Sequence, residues 1–166
     1  MTFDEYLRAR VHVLLRFATV VTCDPHLAED VVQEVLVRAH GRWGRISRVE
    51  HPEAYLKRMV VNEFMRARHR SRRTVPYSHD ALDGAAQHLP DHAHGYGERD
   101  DLARRITALP PKQRAVVALR YYDGRSDEEI AEILGCRETT VRSHASRALA
   151  TLRAGLSNSG AYGRSA

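Results

Sequence analysis

Apolar residues recur every three or four positions over most of this chain, the spacing that places them along one side of an α-helix. The first such stripe runs from Phe3 to Ala18 and predicts a helix. Asp24 and Pro25 then predict the N-cap and first position of a second helix, where proline's missing amide hydrogen costs nothing. The buried side of this second helix is predicted to be Ala28, Val31, Val32, Val35, Leu36 and Ala39. Gly41 and Gly44 mark its end.

A third helix is predicted to begin at Pro52, with an inward stripe formed by Tyr55, Leu56, Met59, Val60 and Phe64. Five arginines crowd its end, namely Arg66, Arg68, Arg70, Arg72 and Arg73. A cation near a helix C-terminus gains roughly 0.3–1 kcal/mol from the helix dipole when exposed. Five are more than capping requires.

Residues 74–97 lose the helical period and contain prolines, glycines and four histidines, so they predict a flexible linker. The period returns from about Glu98, breaks at Pro110 and Pro111, and continues through Val116, Val117, Leu119 and Tyr121 to a turn at Asp123 and Gly124.

Ser126 and Glu129 have the spacing of a capping box, in which two side chains satisfy two free amides at a helix start. The helix that follows carries an apolar face of Ile130, Ala131, Ile133 and Leu134. After a tight turn at Gly135 and Cys136, a long helix is predicted from about Glu138 to Leu156, with Val141, Ala145, Ala148, Leu149 and Leu152 inward. A short helix, a glycine turn and a longer helix make a helix-turn-helix, whose second helix can enter the DNA major groove.

The pattern as a whole predicts an all-α fold with two small helical domains joined by a flexible linker. The predicted divisions are a first domain at 1–73, the linker at 74–97, a helix-turn-helix domain at 98–156 and a disordered tail at 157–166.

Charge supports the same division. The chain has 166 residues and a net charge of +5, but residues 1–73 hold 14 basic and 9 acidic side chains, residues 74–101 hold 1 and 6, and residues 102–166 hold 11 and 6. Two basic modules around an acidic connector indicate a polyanionic partner such as nucleic acid. Of the 26 basic residues 24 are arginine, which suits bidentate contacts to phosphate or guanine, although an arginine-rich coding bias explains the excess about as well.

Several other classes of protein do not fit. The longest uncharged apolar run, Phe17 to Cys23, is too short to cross a membrane, and charges near the N-terminus oppose a secretory signal, so a cytoplasmic protein is expected. Cys23 and Cys136 are too isolated for a disulfide framework or a four-ligand zinc site. A metal site is not expected in the linker either, because its acidic and histidine residues lack a rigid frame, namely His88, Asp91, His92 and His94.

The outer face of the last helix carries the strongest functional signal. Small polar and basic side chains fall together there at helical spacing: Thr139, Thr140, Arg142, Ser143, Ser146 and Arg147. The arginines can reach guanine edges or phosphates, and the hydroxyls can hold phosphates beside the positive helix N-terminus. An ordinary solvated helix face is the less favoured interpretation.

Three stretches resemble bacterial RNA polymerase sigma factors. LPPKQRAVVALRYYDGRSDEEIAEILGCRETTVRSHASRALATLR, Leu109 to Arg153, resembles the domain that reads the minus-thirty-five promoter element. AEDVVQEVLVRAHGRW, Ala28 to Trp43, resembles the polymerase-binding helix, and HPEAYLKRMVVNEFMRARHRSRR, His51 to Arg73, resembles the helix that reads and melts the minus-ten element. The middle and N-terminal domains of housekeeping sigma factors have no counterpart, so the chain is similar to the compact extracytoplasmic-function (ECF) subgroup.

The resemblance implies a non-enzymatic protein without cofactors, which binds core RNA polymerase and promoter DNA. Docking on the beta-prime clamp is implied for Asp30, Gln33 and Glu34, and the beta flap is implied as a second polymerase contact. Minus-ten recognition is implied for Lys57, Arg58, Asn62 and Arg66, with Asn62 helping to capture a flipped base. Trp43 is open to base stacking or core packing, and core packing is favoured. ECF proteins are often held inactive by an anti-sigma factor, which the long linker would allow.

The helix-turn-helix departs from the family pattern at Arg137 and Arg125, among other positions. Arg137 stands where a small capping residue is usual, which leaves the start of the recognition helix open, and Arg125 stands where an apolar residue is usual. Two other functions are alternatives to a sigma factor: a helix-turn-helix regulator of the response-regulator output type, and a metal-dependent nuclease. The acidic face of the second helix and the arginine-rich end of the third disfavour the first, and the lack of a carboxylate cluster disfavours the second.

Overall fold

The computed structural model describes residues 1–74 and 98–159, and in these two ranges all regular structure is helical. The helices are α1 (Phe3–Thr22), α2 (Pro25–His40), α3 (Trp43–Ile46), α4 (Pro52–Thr74), α5 (Glu98–Ala108), α6 (Pro111–Val117), α7 (Asp127–Leu134) and α8 (Glu138–Ser159), and a π-helical turn (Ala118–Tyr122) extends α6. The chain forms two compact units, the first built on α1 to α4 and the second on most of α5 to α8. No helix in the described ranges is long and apolar enough to span a membrane.

The first unit is a packed set of three long helices, in which α1, α2 and α4 all contact one another. The predicted caps form: Thr2 and Glu5 make a capping box on α1, and the Asp24 carboxylate accepts from the amides of His26 and Leu27 to start α2. All six predicted inward positions of α2 are buried or half-buried, while Val37 is exposed as expected from the period. The apolar period therefore predicted the orientation of α2 correctly.

The aromatic residues of the first unit correct the prediction in three places. Phe17 is completely buried, although the predicted inward stripe of α1 did not include it. Tyr55 is 38% exposed, although the predicted inward stripe of α4 included it. The chain after Gly41 forms the short helix α3, where the sequence predicted only a helix end. Trp43 opens this helix, packs edge-on against Phe3 and donates its indole N–H to the Met1 carbonyl at 3.1 Å. The favoured core-packing role of Trp43 is confirmed.

The second unit is centred on α8, against which α5 and α6 pack. The predicted inward face of α8 is correct, since Val141, Ala145 and Ala148 are at most 1% exposed. The capping box on α7 also forms, because the Ser126 hydroxyl accepts the Glu129 amide and the Glu129 carboxylate accepts the Ser126 amide.

The end of α6 differs from the predicted helix. The amide of Asp123 donates to the carbonyl of Ala118 at 3.0 Å, a five-residue step that adds one residue to the turn. The extra residue shifts the register of the positions that follow. Tyr121, predicted inward from a regular period, is therefore 57% exposed. The turn at Gly124 is as predicted, and the left-handed φ of +67° there suits glycine.

The predicted boundaries fall close to the helix ends. The structure continues α4 to Thr74, one residue into the predicted linker, and α8 to Ser159, three residues beyond Leu156. The rest of the predicted linker, including His88, Asp91, His92 and His94, and the tail beyond Ser159 lie outside the described residues.

Candidate nucleic-acid interface

The predicted reading face of α8 is present on the surface of the second unit. Thr139, Arg142, Ser146 and Arg147 are exposed, and Thr140 and Ser143 are half-buried beside them. The opposite face of the helix is buried, so these six side chains share one outward side. The structure thus brings together every residue predicted for this face.

The start of α8, which the sequence left open because of Arg137, is not shifted to another residue. The carbonyl of Arg137 accepts the amides of Thr140 at 2.9 Å and Val141 at 3.1 Å, so Arg137 itself occupies the N-cap position. The helix therefore begins at Glu138, as the period predicted. Thr139 and Thr140 lie in its first turn, where the positive end of the helix dipole favours an anion.

Arg142 forms a weak intramolecular ion pair that DNA binding could break. Its Nη2 atom lies 3.3 Å from Oε2 of Glu138 one turn earlier, and the two side chains are 61% and 49% exposed. Exposed ion pairs contribute roughly 0–1 kcal/mol. A guanine edge or a phosphate can therefore replace Glu138 at small cost.

Ion pairs fix the loop that joins the π-helical turn to α7. Arg125 donates to Asp123 at 2.9 Å and to Glu129 at 2.8 Å, and Arg120 pairs with Asp127. The hydrogen bonds from the Ser126 amide and from Arg125 hold the pKa of Glu129 below its ordinary value. Arg125 thus makes two charged contacts that hold the loop.

On α4, three of the four predicted minus-ten residues lie on the surface. Arg58, Asn62 and Arg66 are exposed, and their spacing of four residues aligns them along one side of the helix. Asn62 therefore has one cation a turn before it and one a turn after it. This stripe can follow a phosphate backbone while the amide contacts a base.

The fourth residue, Lys57, is not on this surface, and its predicted DNA contact does not fit the structure. Its side chain is completely buried, its ammonium lies 2.8 Å from Oε1 of Glu53, and it sits 5.6 Å from the centre of the Phe17 ring. Lys57 directly precedes an exposed arginine in sequence, but the 100° turn per residue points it into the unit.

A surface cavity of about 380 Å³ that the sequence analysis missed opens beside the start of α4. It is lined by Gly41, Arg42, Gly44, Arg45, Ile46 and Tyr55. Tyr55 lies two helical turns before Asn62 and so on the same side of α4. The sequence signal for it is the run Gly41 to Arg45, in which each of two glycines is followed by an arginine, but this run predicted only a helix end.

The predicted polymerase face of α2 is also exposed. Asp30, Gln33 and Glu34 lie on the solvent side of the helix, next to Val37, which is 71% exposed. The two carboxylates give this face a negative charge, which would attract a basic protein surface.

Comparison with known proteins decides which family this arrangement belongs to. The family profile described as Sigma-70 region 2 matches residues 2–74, and that described as Sigma-70, region 4 matches residues 99–152. The chain is 39% identical over 156 residues to an RNA polymerase sigma-E factor of Streptomyces avermitilis, with 92% of this chain and 84% of the relative covered. It is 35% identical to the ECF RNA polymerase sigma factor SigL of Mycobacterium tuberculosis, with 91% and 84% covered. The chain belongs to the ECF sigma factors.

This sigma factor also has a similar solved structure. The sigma factor RpoE of Bartonella quintana, crystallised with the anti-sigma factor NepR, aligns with a TM-score of 0.71 at 27% identity, over 93% of this chain and 96% of that one. The expected fold class, two helical sigma regions of which the second holds a helix-turn-helix, is confirmed. The response-regulator alternative is not supported.

Membership of the family establishes the general activity. This protein is an alternative sigma factor: it acts with core RNA polymerase and promoter DNA to direct transcription initiation. Sigma factors are transcription initiation factors that catalyse no reaction themselves.

Proposed function

We propose that the outward face of α8 reads the minus-thirty-five element in the major groove. The observation that carries this assignment is the convergence of six polar side chains on one outward side, where Arg142 makes an exposed ion pair with Glu138. Arg142 and Arg147 supply contacts to guanine or phosphate. Thr139 and Thr140 bind the DNA backbone at the start of α8.

We propose that the stripe of Arg58, Asn62 and Arg66 binds the minus-ten element as it opens. Opening DNA costs about 0.6–2.2 kcal/mol per base-pair step, which contacts to unstacked bases can offset. The cavity beside Tyr55 supports this function, because a base that enters it would meet an aromatic ring and the arginines at positions 42 and 45. No step in this process requires a catalytic group.

We propose that Asp30, Gln33 and Glu34 dock on the beta-prime clamp of the polymerase. Their exposure and negative charge support the assignment, because a complementary basic surface would be attracted to them. We assign the beta flap to the second unit on the strength of the family resemblance alone.

The domain division that we propose is 1–73 for polymerase and minus-ten binding, 74–97 for the linker, 98–156 for minus-thirty-five binding and 157–166 for the tail. The matched ranges of the two family profiles support it. The place of action is then the cytoplasm, where polymerase and promoters are. An anti-sigma factor is a further proposed partner, supported by the NepR complex of the Bartonella relative.

Permanganate footprinting tests the minus-ten assignment directly, because the reagent oxidises unpaired thymines. Wild-type holoenzyme is expected to give reactive thymines in the minus-ten element of a cognate promoter. Asn62→Ala is expected to reduce this reactivity while DNA binding before opening is retained. Asn62→Ala holoenzyme with wild-type reactivity would contradict the assignment of Asn62.

A further inference from the structure

A buried carboxylate lies directly beside the proposed minus-ten stripe. Glu63 follows Asn62 on α4 and is only 3% exposed. Its two oxygens are held by different arginines: Oε2 lies 2.7 Å from Nη2 of Arg38 on α2, and Oε1 lies 2.9 Å from Nη2 of Arg70 on α4. Arg66 approaches Oε2 at 3.8 Å. One buried acid therefore touches two arginines that project toward solvent and one that is part of the packing between α2 and α4.

Glu63 is ionised at neutral pH in this setting. Burial raises the pKa of its carboxyl, but the hydrogen bonds from Arg70 and Arg38 and their charges outweigh burial and hold the pKa below its ordinary value. A buried carboxylate without such partners would be costly. The arginines are thus held by a full negative charge.

The three arginines differ in what they leave exposed. The Arg38 side chain is 28% exposed, whereas those of Arg66 and Arg70 are 64% and 66% exposed. Because Arg66 and Arg70 keep about two thirds of their side-chain surface exposed while paired with Glu63, a phosphate can approach them from solvent. Glu63 therefore fixes the direction of Arg70, and more weakly that of Arg66, on the side of α4 where DNA is proposed to run.

We propose that Glu63 is a positioning residue for promoter DNA, which orients Arg70 and Arg66 toward the phosphates of the minus-ten element. The inference rests on the proposed function of α4. Holding a long side chain in place before binding lowers the ordering cost that DNA binding would otherwise incur. Arg38 on α2 binds the other oxygen of the Glu63 carboxylate, so α2 holds Glu63 in place.

The sign of the effect distinguishes positioning from simple electrostatics. Glu63→Gln removes a negative charge near DNA, so electrostatics alone predicts tighter binding. Loss of positioning predicts weaker binding instead, by roughly two- to tenfold for one or two long side chains. Loss of positioning also predicts that the negative slope of log affinity against log salt becomes less steep by up to about 1, because a phosphate contact is lost.

The experiment measures the affinity of reconstituted holoenzyme for a minus-ten promoter fragment at several salt concentrations. Glu50→Gln is the matched control, since Glu50 lies just before α4, is 89% exposed and gives the same charge change. We expect Glu63→Gln to bind more weakly with a reduced slope, and Glu50→Gln to bind as wild type or slightly more tightly. Glu63→Gln holoenzyme that binds as tightly as Glu50→Gln overturns the inference.

Two further variants keep the result decisive. Glu63→Asp retains the charge but shortens the side chain, so it tests positioning if Glu63→Gln does not fold, and it is expected to weaken binding similarly. In an Arg66→Gln, Arg70→Gln background, Glu63→Gln is expected to add no further loss. An equal loss in both backgrounds would show that Glu63 acts through overall structure.

The same series separates this inference from the function on which it rests. If Arg66→Gln and Arg70→Gln leave DNA affinity unchanged while wild-type holoenzyme opens the promoter, the assignment of α4 is wrong. If they weaken binding and Glu63→Gln does not, only the positioning role is wrong.

Discussion

The ammonium of Lys57 lies 2.8 Å from the Glu53 carboxylate, one turn earlier on α4, and the lysine side chain is fully buried. This pair makes Lys57 part of the packing of the first unit. Lys57→Met is expected to lower the free energy of unfolding by about 1–3 kcal/mol, because it removes a hydrogen bond to a charged group. Chemical denaturation followed by circular dichroism measures this change.

Arg58→Met makes the same charge change at the neighbouring exposed position and provides the control. It is expected to leave the unfolding free energy nearly unchanged and to lower the salt slope of DNA binding by about 1. A lowered salt slope for Lys57→Met at unchanged stability would show that the buried lysine reaches DNA after all.

The ion pair between Arg142 and Glu138 gives a prediction about promoter preference. Arg142→Ala is expected to weaken binding to particular minus-thirty-five bases by about 1–3 kcal/mol. Glu138→Gln frees the same arginine without removing it, so base preference should persist. Competition among a pool of minus-thirty-five variants measures both. Equal weakening by Arg142→Ala on every sequence would reduce Arg142 to a phosphate contact.

The acidic face of α2 gives a prediction about polymerase. Asp30→Lys combined with Glu34→Lys is expected to reduce affinity for core polymerase at least tenfold, because like charges would then face each other across the contact. Glu50→Lys with Glu132→Lys makes an equal charge change at exposed positions outside this face and should bind core normally. Fluorescence anisotropy of labelled protein reports both affinities. Normal core binding by the α2 double variant would remove the docking assignment.

His144 makes the stability of the second unit depend on pH. Burial, followed by the charges of Lys112 and Arg147, lowers the pKa of this histidine. The folded state thus resists protonation, and stability present above about pH 6.5 is lost as the pH falls through that value toward the lower folded pKa. We expect the melting temperature to fall between pH 7.5 and 5.5, above the range where the carboxylates titrate.

A histidine variant identifies the source of this change. His144→Gln should reduce the fall in melting temperature, whereas His12→Gln, at an exposed position of α1, should not. An identical fall in all three proteins would assign the pH dependence to other groups.

The helices were predictable because local rules dominate them. The Asp24 cap, the box formed by Ser126 and Glu129, and the inward face of α8 depend only on spacing and on donors that a neighbouring side chain satisfies. The exposed functional faces followed as the complements of the buried ones.

The predictions were wrong or incomplete at positions whose burial or backbone geometry depends on tertiary contacts. Nothing in the period of α4 distinguishes buried Lys57 from an exposed lysine, because its burial depends on Glu53 and on Phe17 of another helix. The π-helical turn includes a five-residue hydrogen bond, from the Asp123 amide to the Ala118 carbonyl, which leaves no pattern in the sequence. Glu63 was overlooked for the same reason, since its partner Arg38 lies 25 residues away.

Run-off transcription with purified core RNA polymerase and a diverse pool of promoter templates tests the central claim most directly. The account predicts that adding this protein yields transcripts from a subset of templates sharing minus-thirty-five and minus-ten elements, and that core enzyme alone yields none of them. If the protein forms no transcripts from any template that core alone does not also give, the account is contradicted.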